Sequence, residues 1–143
     1  MVTMHLVIGT TLAATNLGAG IWGGWAWYRD RPTVGFWYLL RVAQTSVVVQ
    51  VMVGGILVVG DHVAPDDLHY LYGVLPIMVS LLAEGARGGV AEHELEGLDF
   101  HALPRSRQAA IAAVIARRET GIMAVSALVV FGLAVRAALT STL

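Results

Sequence analysis

Residues 42–60 contain no charged side chain, and neither do residues 1–28, 68–83 and 120–135. Nothing else in the chain limits its folding so tightly. A charge at the centre of a bilayer costs at least about 2.5 kcal/mol, and a helix crosses the hydrocarbon layer with about 20 apolar residues. Four such runs, with nearly all the charge held between them, specify an integral membrane protein. The composition agrees: 57% of the 143 residues are hydrophobic and 13% charged, against about a quarter charged in a soluble domain. Lipid offers no partner to a free backbone group, so each span must satisfy its own hydrogen bonds, and runs of this length do so as helices. The expected fold is all-α, an integral membrane four-helix bundle forming one transmembrane domain over residues 1–143.

The spans are expected at about 5–27, 35–59, 68–84 and 120–140. The first lacks the basic start and small-residue cleavage site of a secretory signal, so it reads as a retained helix. Residues 85–108 read as a cytoplasmic loop with a bend at Gly88 and Gly89. Pro104 suits the first turn of a helix, and the alanine-rich stretch after it reads as a helical extension of span four over 105–119, outside the bilayer.

Eight of the nine arginines fall in or beside the segments linking spans one to two and three to four; only Arg136 lies elsewhere. The positive-inside rule makes that side cytoplasmic and turns both termini outward. Trp25, Trp27, Tyr28, Phe36, Trp37 and Tyr38 gather at the same side as an interfacial belt. All nine basic residues are arginine, which we read as a high-GC coding bias and hence a bacterial source. The expected location is the bacterial cytoplasmic membrane.

This topology draws scattered polar residues to the outer boundary: His5, His62, His69, Tyr70 and Arg136 are the candidate cofactor-binding cluster. Histidines at one depth could ligate haem iron while an arginine neutralises a propionate. With tyrosine and carboxylate they could instead bind a quinone head group and carry its protons, or hold zinc or copper. The competing reading is structural. In the stretch APDD, Pro65 and the aspartates form a polar turn, Asp66 or Asp67 caps span three, and Arg136 snorkels or pairs with an aspartate.

Deeper in the bilayer, Asn16, Gln50, Ser80 and Ser126 share a level and read as interhelical polar contacts. At the inner side Glu84 can pair with Arg87 along its helix or with Arg117 or Arg118 across to span four. Gly20 and Gly24 form a GxxxG pair, and Ala14 and Gly18 a second small pair, for close helix approach. Pro76 removes a backbone bond inside span three.

Several functions are excluded or disfavoured. With no cysteine there is no disulfide or thiolate chemistry, and a net charge of −1 gives no basic excess for nucleic acid. Catalytic and nucleotide-binding motifs are missing, and no carboxylate lies at mid-membrane to serve an ion path. The pattern resembles small four-helix membrane proteins of high-GC bacteria. It is similar to haem-binding four-helix bundles in architecture alone, because their matched mid-helix histidine pairs are absent. The leading expectation is a non-catalytic accessory or scaffold subunit of a larger membrane complex, in contact with lipid and with partner subunits or copies of itself. A haem- or quinone-binding redox protein stands second, and a small oligomeric metal or solute transporter third.

Overall fold

A computed structural model describes residues 1–64 and 66–140. Pro65, and with it part of the expected turn, lies outside the described residues. Four helices account for most of the chain: α1 (Val2–Tyr28), α2 (Val34–Val59), α3 (Asp67–Leu95) and α4 (Arg105–Thr140). A single 3₁₀ turn, Phe100–Ala102, lies before α4, and no strand occurs among the described residues. All four helices are long and apolar enough to cross a membrane. This is a multi-pass membrane architecture.

Two boundaries depart from expectation. α1 begins at Val2, which puts His5 inside the helix instead of at its entrance. α3 does not stop at Glu84 but continues to Leu95 through Gly85, Gly88 and Gly89, so the expected bend at Gly88–Gly89 is absent. Intrinsic propensity disfavours glycine in a helix by about 1 kcal/mol per residue. Packing against the long α4, including an ion pair from Glu94 to Arg118, offsets that cost. α4 is one helix of 36 residues, about 54 Å long, running without a break from Arg105 to Thr140.

The helix ends are closed by local chemistry. Asp66 caps α3, its carboxylate accepting from the Leu68 N–H at 2.9 Å. α1 and α2 end alike: Asp30 and Asp61 take positive φ of 52° and 61°, and the next N–H reaches back to a carbonyl five residues earlier. Those bonds are Arg31 to Ala26 at 2.9 Å and His62 to Leu57 at 3.0 Å, the pattern of a Schellman cap with aspartate in the place glycine usually takes.

α1 packs against α2 and α4, α3 packs against α4, and α2 meets α3 more lightly. One core cluster joins Ala19, Phe36, Leu40, Ala83, Met123 and Ala127; a second joins Leu12, Val47 and Val130. Phe36 is fully buried, so it belongs to the core and not to the interfacial belt. Glycine makes room for it. A Cβ on Gly23 would sit 2.4 Å from the Phe36 ring and 2.9 Å from the Ala124 Cβ, and one on Gly20 would sit 2.5 Å from Leu128. A Cβ on Gly24 would meet nothing. The close approach therefore uses Gly20 and Gly23, not the Gly20–Gly24 pair.

Candidate functional site

Two polar centres stand at opposite ends of the helices. At the end holding the segments that carry eight of the nine arginines, Glu84 is the hub. Its carboxylate accepts from Arg41 at 2.7 Å, from the Gln44 amide at 2.8 Å and from Arg87 Nε at 2.9 Å. Arg87 in turn faces Glu119 at 3.8 Å and lies 5.6 Å from the Trp37 ring centre. The carboxylate thus ties α2 to α3, and Arg87 extends the network to α4. Neither Arg117 nor Arg118 pairs with Glu84. Arg117 reaches Asp30 in the α1–α2 turn, and Arg118 pairs with Glu94 on the continuation of α3. Both acceptors are closer to their own side chains because the α1 cap projects Asp30 and the longer α3 brings Glu94 alongside α4.

At the other end the expected cluster divides. His62 is exposed and folds back, its Nδ1–H donating to the Gly60 carbonyl at 2.9 Å. Tyr70 accepts the Ala64 N–H on its hydroxyl at 2.8 Å and holds the α2–α3 link. Arg136 lies 5.7 Å over the Tyr72 ring, an exposed cation–π contact. His62 and Arg136 have local structural duties, whereas Tyr70, besides holding the link, sets its ring edge-on to the neighbouring His69 with centres 6.3 Å apart.

His5 and His69 do converge. Their ring centres are 6.1 Å apart and tilted by 54°. His69 Nδ1 lies 2.9 Å from the Ala137 carbonyl; a carbonyl only accepts, so that nitrogen carries the proton and Nε2 holds the lone pair. His5 Nε2 lies 3.1 Å from the Gln50 amide nitrogen. Gln50 is therefore part of this site, a residue the sequence reading placed in a deeper layer. Four helices meet here: His5 from α1, Gln50 from α2, His69 from α3 and Ala137 from α4.

Reciprocal glycines shape the contact. A Cβ on Gly9 would lie 3.1 Å from the Gln50 amide, and one on Gly54 would lie 3.3 Å from His5 Cε1. Each polar side chain thus lies over a glycine of the facing helix, and each glycine is four residues along from its own helix's polar partner. Two atoms in this contact, His5 Nδ1 and Gln50 Oε1, are buried without a hydrogen-bond partner. Among the described residues no three His, Cys, Asp or Glu side chains gather as a metal-binding set.

The other polar groups expected at mid-depth do not cross between helices. Asn16 donates to its own helix at Leu12, Ser80 to Pro76 and Ser126 to Met123. Satisfying a polar group on its own helix is the local solution where a facing helix offers only apolar neighbours. Comparison with protein-family models, with curated proteins and with solved structures gives no match to this chain.

Proposed function

We propose that the chain is a non-catalytic accessory or scaffold subunit of a larger assembly in the bacterial cytoplasmic membrane. In this reading it is a four-helix bundle with both termini outside and α4 extended into the cytoplasm. The observation that carries the proposal is the set of glycines on α3. Gly73, Gly85, Gly88 and Gly89 all have open space where a Cβ would be, so none is needed for packing within the chain. Each still carries the helix cost of about 1 kcal/mol. Gly85 and Gly89 form a GxxxG pair at the end of span three and just beyond it, a spacing that lets a second helix approach closely. α3 itself buries only Pro76 and Ala83 of its 29 residues, and the side turned away from α4 is open to a partner helix.

The test is the composition and mass of the protein purified from its native membrane in mild detergent. A stoichiometric complex with other subunits is expected. Gly85→Leu and Gly89→Leu should release the chain from it while leaving its own helix content and thermal unfolding intact. A homogeneous monomer or homo-oligomer in the wild type, or an unaltered complex in both variants, contradicts the proposal.

One observation favours a second reading, a redox protein binding haem or quinone at the outer face: the buried, unpartnered His5 Nδ1 and Gln50 Oε1. Such a site would give the natively purified protein a haem absorption band or extractable quinone. A colourless, quinone-free and correctly folded preparation rules this reading out.

A further inference from the structure

We propose that His5 and His69 form a two-coordinate site for one copper(I) ion, with Gln50 and the Ala137 carbonyl orienting the two imidazoles. The inference is independent of the accessory role.

It begins with which nitrogens are committed. The Ala137 carbonyl fixes the proton of His69 on Nδ1 and leaves the Nε2 lone pair free. A metal-bound histidine characteristically donates its other ring N–H to a carbonyl or carboxylate in this way. His5 presents the same arrangement once the Gln50 amide is turned over, an exchange of O and N that heavy-atom positions do not distinguish. The amide oxygen then accepts from His5 Nε2–H, at the 3.1 Å position beside that nitrogen, and Nδ1 holds the lone pair. Nδ1 is the ring atom buried with no partner. With the amide so turned, each imidazole has one nitrogen oriented by an oxygen acceptor and one nitrogen free.

The separation fits a single ion. With a metal–nitrogen length of about 2.0 Å and a ring radius of about 1.2 Å, one ion can join imidazole centres up to about 6.4 Å apart. With the two free nitrogens turned toward one another, the observed 6.1 Å corresponds to an open N–metal–N angle of roughly 145°, wider than a tetrahedral one. Low coordination with neutral ligands is a property of copper(I). Zinc would need further ligands, and no third His, Cys, Asp or Glu gathers there among the described residues. A single positive charge is also cheaper than a double one to hold in a low-dielectric site without a carboxylate.

The experiment uses the full chain in detergent micelles, titrated anaerobically with copper(I) against a chromophoric chelator. One equivalent should bind, and X-ray absorption should report two nitrogen ligands. His5→Gln and His69→Gln, which keep polar side chains of similar reach, should each abolish binding while circular dichroism stays unchanged. Gln50→Ala, which removes the orienting group and leaves both ligands in place, should weaken binding about 10- to 100-fold. No competition by the wild type, or undiminished binding in both histidine variants, overturns the proposal. Copper(I) held by sulfur ligands in the absorption spectrum overturns it as well.

Discussion

At the residue scale, the clearest consequences concern neighbours that differ by one position. Gly23 faces Phe36 and Ala124 at distances no Cβ can tolerate, whereas Gly24 faces open space. Gly23→Ala should lower stability by about 1–3 kcal/mol, the usual range for overpacking. Gly24→Ala should leave it unchanged or raise it by up to about 1 kcal/mol through helix propensity. Thermal unfolding of the two variants side by side in one detergent reads the difference directly. Glu84 offers a second test. Glu84→Gln keeps the shape but removes the charge that holds Arg41 and Arg87, and should cost about 1–3 kcal/mol in the same assay. An unaltered midpoint would mean that the network is decorative. Little of this was legible beforehand. The first two helices are apolar all round, so periodicity carries no sign of which face turns inward. In lipid the outside is as apolar as the inside, and Phe36 beside a row of interfacial aromatics gave no hint that it was core. His5 and His69, grouped from the sequence, do meet; the contact of His5 with Gln50 was not legible, because it depends on how α1 and α2 face one another.

At the element scale, the helices were legible because the signal is length without charge, which does not depend on face. The ends are less legible. α3 was expected to stop near Glu84 because residues 85–96 mix glycine with acidic and basic side chains, the composition of a loop. Support from α4 prevails over that local preference, and Glu94 pairs with Arg118 as part of it. Reversing the charges together should therefore be milder than reversing one. Glu94→Arg alone should fray the end of α3, seen as faster amide exchange in residues 90–95, and adding Arg118→Glu should restore protection. The aspartates in the left-handed positions allow a stabilising change. Asp61→Gly relieves a backbone conformation that costs a side-chain-bearing residue roughly 1–2 kcal/mol in general and less for aspartate, so a gain of up to about 1 kcal/mol is expected. The same change at Asp30 should gain less, because it also removes the partner of Arg117.

At the scale of the whole molecule, charge is divided between two ends of different character. One end gathers Arg41, Arg87, Arg117 and Arg118 into pairs with Glu84, Glu119, Asp30 and Glu94, and these contacts fasten α2 to α3, α3 to α4, and the α1–α2 turn to α4. The opposite end holds the His5–Gln50–His69 contact, with neutral partners and two unsatisfied atoms. The first end is suited to holding the helices in register; the second is where a small ligand would find ligating atoms. Both functional proposals depend on the chain crossing the bilayer four times with the second of these ends outside. The absence of cysteine from the sequence makes that directly measurable, since any introduced thiol is the sole target of a maleimide. Single variants Thr3→Cys, Val63→Cys, Arg31→Cys and Leu98→Cys, expressed in intact bacterial cells, should divide cleanly under a membrane-impermeant reagent. Thr3→Cys and Val63→Cys should label from outside, while Arg31→Cys and Leu98→Cys should label only after the membrane is opened. Labelling of all four from outside, or of Arg31→Cys and Leu98→Cys in place of the other two, would contradict the account.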